Sequence, residues 1–239
     1  MKKINIKIKP LYILGLITLA VFGCSESNSG FLDPDTSDKL DKETVFADSV
    51  YTYQFHARIY QHLERTYFAD TGLGQGGYWS WSDMTDDSKN KWSGSAQTAH
   101  RFNMNEITNP SEYRFKQHWK NCYEGISRAN IFLANVETAP LSEKNKATLK
   151  AEARLVRTWL NFHLLRLYGG IPLVGDKVFG ITDKVETPRA TFAETVDYIV
   201  SECDELAKIL PAKQEGRDYG RATSGAALGI KARVLLFAA

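Results

Sequence analysis

Five long segments of this chain place apolar side chains at helical spacing, and each begins at a residue that caps helices. Such periodicity with capping predicts α-helices, whose apolar faces must be buried against one another. A paired cap at Thr191 and Glu194 satisfies two backbone donors at one helix start, and Gly169, Gly170 and Pro211 end helices. The helices are predicted over 50 to about 68, 111–136, 143–168, 191–209 and 224–239, with caps at Ser49, Ser111, Ser142, Thr191 and Thr223.

The short connection between 111–136 and 143–168 favours an antiparallel helical hairpin. A second hairpin, 191–209 with 224–239, follows a mainly extended crossover over 171–190. Two stacked helical pairs resemble tetratricopeptide architecture. The predicted fold class is therefore mainly α: stacked helical hairpins of tetratricopeptide-like type, with a long irregular aromatic loop region.

That irregular region runs from 70 to 110 and is rich in glycine and aromatic residues. Sugars have apolar C–H faces and hydroxyl rims, so sugar receptors combine flat rings with amide or carboxylate groups. The region offers this combination, and the candidate ligand-binding residues are Tyr78, Trp79, Trp81, Asp83, Asn90 and Trp92. The alternative is that the tryptophans anchor the loop to the helical core.

The N-terminus has the order of an export signal, with lysines followed by a short apolar run. Residues 11–22 number about a dozen, whereas about 20 are needed to span a membrane as a helix. The sequence 21–24, Val-Phe-Gly-Cys, resembles the bacterial lipobox, in which the signal is cut before the cysteine and the cysteine is acylated, for example with palmitate. We predict a lipoprotein signal peptide over 1–23, a polar tether over 24–36 that starts at lipidated Cys24, and a helical domain over 37–239. An uncleaved or soluble-secretion signal is the alternative.

Charge argues against nucleic acid as a partner. The first 23 residues hold four of the 30 basic side chains and no acidic one, so the mature chain has 26 basic against 28 acidic side chains. No basic stripe remains to attract phosphates.

The other reactive residues do not form a recognisable catalytic or metal-binding pattern. His118 and Cys122 share a helix face but lack a third ligand nearby in sequence, so neither a metal nor a cofactor is expected. Cys122 and Cys203 fall on apolar helix faces, which favours buried free thiols over a disulfide bridge. The last segment, predicted to be amphipathic, ends on an apolar run without a terminating residue, so we expect the chain to be the front portion of a longer protein.

Six segments of the chain form one series of motifs. In order, they are Phe-Leu-Asp at 31–33, 119–130 with Trp119 and Tyr-Glu-Gly-Ile-Ser-Arg-Ala-Asn, 151–157, Leu-Tyr-Gly-Gly-Ile-Pro-Leu-Val at 167–174, Pro-Arg-Ala-Thr at 188–191 and Gly-Arg-Ala-Thr at 220–223. Together these segments resemble the SusD/RagB family of outer-membrane lipoproteins. Scaffold roles are expected for most of their residues: Gly169 and Gly170 allow a turn, while Asn130 and Arg157 are placed to bind backbone groups between helices.

The resemblance covers nearly the whole mature chain and about the first half of a usual family member. It implies a non-enzymatic lipoprotein at the outer membrane, facing the cell exterior. Such a protein captures a nutrient, typically an oligosaccharide, and delivers it to a SusC-like, TonB-dependent β-barrel transporter. Peptides and other nutrients remain open as cargo. The alternatives from other classes are a helical-repeat protein-interaction module and a lipid-anchored glycan hydrolase, which would need two converging carboxylates.

Overall fold

The fold of the chain is mainly helical. A computed structural model describes residues 41–67, 113–180 and 182–239. Within these ranges the helices are α1 (Lys42–Ala47), α2 (Ser49–Tyr67), α3 (Tyr113–Asn135), α4 (Glu143–Tyr168), α5 (Phe192–Ile209) and α6 (Ser224–Ala238), with 3-10 turns at Val136–Thr138 and Gly216–Asp218. The predicted helical fold class is confirmed, and the predicted boundaries agree within about two residues.

Helix α4 lies at the centre because it has apolar side chains on two opposite faces. One face packs with α1, α2 and α3 around Ile59, Ile126 and Phe132. The other face packs with α5 and α6 around Ile199, Leu206 and Val234. The hairpins α3–α4 and α5–α6 are therefore stacked on each other, as predicted, and α4 contributes side chains to both cores.

Three of the four predicted caps in the described ranges are formed. The fourth prediction was wrong, because Ser49 is the first residue of α2 and Asp48 before it accepts a hydrogen bond from the backbone N–H of Tyr51 at 2.9 Å. Ser142 accepts a hydrogen bond from the backbone N–H of Asn145 at 3.3 Å. Thr191 and Glu194 form the reciprocal pair at the start of α5. Thr223 accepts from Ala226 at 3.2 Å. Each cap satisfies donors that a helix start leaves unpaired. Ser111 lies outside the described residues.

The crossover between α4 and α5 is closed at its base by backbone contacts. Gly169 ends α4 with a φ of 72°, which favours glycine. A side chain at Gly170 would overlap the carbonyl oxygen of Ala190, so the two segments can approach only because Gly170 has none. Ala190 donates to the carbonyl of Ile171 at 3.0 Å.

Asn130 and Arg157 bind the same crossover from inside the helical stack. The Asn130 amide donates to the carbonyls of Gly175 and Lys177, both at 2.8 Å. Arg157 donates to Asn130 Oδ1 at 2.8 Å and also contacts Asp176. These contacts confirm the prediction that the two polar side chains bind backbone between helices.

Helix α2 was predicted correctly, but its buried face only in part. The helical spacing of apolar residues predicts Tyr53, Ala57, Tyr60 and the residues from Leu63 on one face. Tyr60 and Leu63 do pack against the core, whereas Tyr53 and Ala57 are exposed. The buried positions are Thr52, His56, Ile59 and His62. The prediction was wrong because a neutral histidine packs like an aromatic residue, which an apolar pattern does not count.

Helix α6 also differs from the expected amphipathic pattern. Ala227, Ile230 and Val234 are buried against the stack. Leu228, Leu235, Leu236 and Phe237 are apolar as well but exposed. The helix therefore has apolar side chains around most of its circumference.

The two cysteines in the described ranges are free and buried, as predicted. Burial raises the pKa of Cys122 to about 12 and that of Cys203 to about 11, so both thiols are protonated at neutral pH.

Candidate functional site

The residues that the sequence nominates for ligand binding are Tyr78, Trp79, Trp81, Asp83, Asn90 and Trp92. All six lie outside the described residues, as does Cys24. The helices that flank their segment in sequence, α2 and α3, are described. The structure therefore describes the two helices between which the predicted binding residues stand in sequence.

A cleft of about 470 Å³, the Trp159 cleft, lies between α2, α4 and α6. Tyr60 and Leu63 line it from α2, Val156 and Trp159 from α4, and Ile230 from α6. Its volume lies within the range of small-molecule sites, roughly 300–1,000 Å³. Tyr60 and Leu63 lie in the C-terminal half of α2, which ends at Tyr67.

Two residues that line this cleft, Trp159 and Arg233, form a cation–π contact. The guanidinium of Arg233 lies 5.6 Å from the ring centroid of Trp159 and 6.0 Å from that of Phe162. His163 packs edge-on against Trp159 at 4.6 Å. A half-buried tryptophan held by such contacts presents a rigid apolar surface next to hydrogen-bond donors.

Two residues that line the cleft, Tyr60 and Arg221, also belong to a buried ionic cluster centred on Glu152, whose side chain is 0% exposed. Tyr60 Oη donates to Glu152 Oε2 at 3.0 Å and accepts from the backbone N–H of Ala222 at 3.1 Å. Arg221 Nε donates to Glu152 Oε2 at 3.1 Å, and Arg221 Nη2 lies 2.9 Å from Glu152 Oε1. His56 Nε2 lies 3.4 Å from the same carboxylate.

Electrostatics indicate what this cluster does. Burial raises the pKa of Glu152, while hydrogen bonds and the charge of Arg221 oppose the rise. Burial, followed by the charge of Arg221, lowers the pKa of His56 to about 4, so this histidine is neutral at pH 7. Because the carboxylate is enclosed and bound from several sides, Glu152 joins α2, α4 and the loop before α6 rather than facing a ligand.

A second group of polar side chains surrounds His118 at the start of α3. Its Nε2 lies 3.6 Å from Cys122 Sγ, and its ring centroid lies 6.1 Å from that of His163. Burial and nearby arginines lower the pKa of His118 to about 4 and that of His163 to about 3. Within residues 41–67, 113–180 and 182–239, no group of three or more metal-ligand side chains is present.

Sequence reasoning missed Trp159, Arg233 and the Glu152 cluster. A signal for Glu152 was available, since an acidic residue between Ala151 and Ala153 interrupts the buried face of α4. A charged side chain at such a position needs a partner in the folded chain. The partner Arg221 is 69 residues away, and only the folded chain identifies it.

The described helices do not include one that is both long enough and apolar enough to cross a membrane.

The chain is similar in sequence to known proteins over most of its length. A SusD-like family profile, described as "Starch-binding associating with outer membrane", matches residues 31–236. A SusD-like protein of Bacteroides ovatus is 33% identical over 121 residues, covering 49% of this chain and 21% of that protein. SusD-like protein P25 of Formosa agariphila is 23% identical over an alignment of 248 residues, covering 95% of this chain and 43% of that protein. The chain spans less than half the length of these curated relatives.

Solved structures resemble the chain in fold. A laminarin binding SusD-like protein aligns with a TM-score of 0.67 and 20% identity, over 80% of this chain and 40% of that one. Surface glycan-binding protein A from Bacteroides thetaiotaomicron, in complex with laminarihexaose, aligns with a TM-score of 0.60 and 19% identity, over 79% and 39%. At these identities the similarity establishes the fold alone.

Proposed function

This chain belongs to the SusD-like family, and on that basis we propose that it is a glycan-binding lipoprotein of the outer membrane. In this proposal Cys24 carries the lipid anchor after removal of 1–23, residues 24–36 form the tether, and the helical domain faces the cell exterior. The domain binds an oligosaccharide nutrient without cleaving it and delivers it to a SusC-like transporter.

The observation that carries this proposal is the family match over residues 31–236. The names of two structural neighbours, a laminarin binding protein and a complex with laminarihexaose, suggest neutral β-glucans as first probes. Titration of the purified protein with a panel of glycans tests the proposal, and binding without cleavage products is expected. Cleavage products would favour the hydrolase, and a protein that binds none of the glycans would favour the protein-interaction module.

Delivery to a transporter is tested separately. We expect a SusC-like protein to co-purify with this chain from detergent-solubilised outer membranes. Loss of this chain should then reduce uptake of the bound glycan by the cell. Uptake that does not depend on the chain would contradict the delivery step.

We propose that the ligand contacts lie in the aromatic segment, at Tyr78, Trp79, Trp81, Asp83, Asn90 and Trp92. The support is chemical, because rings that stack on sugar faces stand close in sequence to amide and carboxylate groups that bind hydroxyls. The Trp159 cleft adds a rigid aromatic surface, lined from α2 by Tyr60 and by Leu63, which is four residues before the helix ends.

Replacing Trp79 or Trp81 with alanine should weaken glycan binding by about 1–3 kcal/mol, by analogy with aromatic stacking on other ring-bearing ligands. Isothermal titration measures the change, and Trp79→Phe serves as a control because it keeps a stacking ring. Unchanged affinity together with a lower melting temperature would assign the rings to the core instead.

Replacing Cys24 with alanine should release the protein from the membrane. Acyl chains contribute roughly 0.8 kcal/mol per buried CH₂, and this stabilisation is lost with the acceptor sulfur. Cell fractionation checks the result, with Cys203→Ala as the matched control because that thiol is buried in the fold. A Cys24→Ala protein that still sediments with membranes would contradict the anchor.

A further inference from the structure

A second cleft, of about 490 Å³, lies at the first turns of α4. Its lining residues differ from those of the Trp159 cleft, except that Arg221 lines both clefts. Tyr53, Asn145, Gln214 and Asp218 line it together with Ile209. None of these five residues belongs to the predicted aromatic segment.

Tyr53 supplies an accessible aromatic surface in this cleft. The residue is 38% exposed, on the side of α2 that does not face the core. Its Oη is 3.2 Å from the donating Nδ2 of Asn145, which holds the ring in place without burying it. Ile209, 47% exposed, adds a second apolar surface on the same cleft.

The charged side chains of the cleft largely compensate one another. Arg221 is bound to Asp218 at 2.5 Å and to the buried Glu152 at 2.9 Å. Gln214 donates to the carbonyl of Ala222 at 3.2 Å and lies 3.4 Å from Glu152, which fixes its amide in the wall of the cleft. Lys144, which is exposed, also lines the cleft. A cleft with its acids and arginine paired selects an uncharged polar ligand, because an ion would have to displace an existing partner.

We propose that this cleft is a second saccharide site, which binds about two rings of a neutral oligosaccharide. Tyr53 stacks on the apolar face of one sugar ring. Asn145, Gln214 and Asp218 exchange hydrogen bonds with its hydroxyl groups. The inference rests on the proposed function for its ligand class, but it uses residues that the proposed function does not.

The test uses the full chain and three neutral probes: laminarihexaose, maltohexaose and cellohexaose. We expect at least one probe to shift the side-chain amide NMR signals of Asn145 and Gln214. The side-chain amide of Asn161, which is 4% exposed inside the stack, should not shift and serves as the internal control.

Substitution then assigns the binding energy to the ring. Tyr53→Ala should weaken binding at this cleft at least tenfold, whereas Tyr51→Ala should leave it unchanged. The two tyrosines form a matched pair, since both are in α2 and each is 38% exposed, but Tyr51 does not line the cleft. Because Tyr53 has an exposed side chain, its loss does not open the core.

Measuring the same titrations in the Trp79→Ala/Trp81→Ala double variant separates this site from the proposed principal site. Residual saturable binding that Tyr53→Ala abolishes supports the second site. Glycan binding in which neither amide shifts and Tyr53→Ala has no effect overturns the second site and leaves the proposed function intact. If the unmodified protein binds none of the glycans, both the second site and the proposed function are overturned. Tighter binding of an oligouronate than of all neutral probes overturns the assigned ligand class.

Discussion

Replacing Arg221 with methionine is expected to destabilise the fold by about 3 kcal/mol. Removing one partner of a buried ion pair costs roughly 3–5 kcal/mol, since the other charge stays buried. The lower end applies because the Arg221 side chain is 27% exposed and Glu152 can take up a proton. Methionine keeps much of the aliphatic stem, so the loss reports the charge and its hydrogen bonds rather than a cavity.

Urea unfolding measures this loss, and Arg217→Met is the matched control because Arg217 is exposed in the same loop. The double variant Glu152→Gln/Arg221→Met should be more stable than Arg221→Met alone, since no buried charge is left. The cost of Arg221→Met relative to the parent should also shrink as the pH is lowered, because burial raises the pKa of Glu152 and the variant lacks the guanidinium that opposes the rise. A double variant that is no more stable than Arg221→Met would contradict the buried charge as the cause.

Acidification from pH 7 to pH 5 is expected to lower the free energy of unfolding by up to about 6 kcal/mol. Burial and neighbouring arginines lower the folded-state pKa of His56 and His118 to about 4 and that of His163 to about 3. The unfolded chain has histidines with a pKa of about 6.5. Above that pH neither state binds the proton, so the histidines have no effect on stability.

Below pH 6.5 the unfolded state binds protons first, and stability therefore falls as pH falls toward the folded-state values. Each histidine contributes about 1.36 kcal/mol per pH unit, or about 2 kcal/mol at pH 5. Glu152 acts in the opposite direction because its pKa is raised, so the sum for three histidines is an upper bound.

Urea titrations at pH 7, 6 and 5 measure the slope, and a His163→Phe variant identifies its origin. Phenylalanine retains the ring packed against Trp159 but cannot titrate. The variant should lose about one third of the pH dependence. Stability that is constant over this range would contradict the lowered folded-state pKa values of these histidines.

The helices of the described ranges could be predicted from the sequence because their determinants are local. Ser142, Thr191 and Thr223 each bind a backbone N–H three residues away, and Gly169 ends α4 within the same turn. The pairing of α3 with α4 followed from their short connection. Asn130 and Arg157 could also be identified, since polar side chains on buried helix faces require partners.

The partners themselves could not be predicted in the same way. Glu152 joins Tyr60, 92 residues earlier, to Arg221, 69 residues later, and no periodicity relates these positions. The face of α2 was misassigned for a related reason. His56 and His62 pack inward because other helices enclose them, and for His56 enclosure lowers the pKa so that the ring is neutral at pH 7.

The amino-acid sequence alone determined where helices begin and end, and which family the chain resembles, because caps, breakers and motifs act over a few residues. Only the tertiary structure decided that α4 serves two cores, that a buried carboxylate ties distant elements together, and that Tyr53 faces a cleft. These features depend on burial, and burial is a property of what the rest of the chain places around a residue.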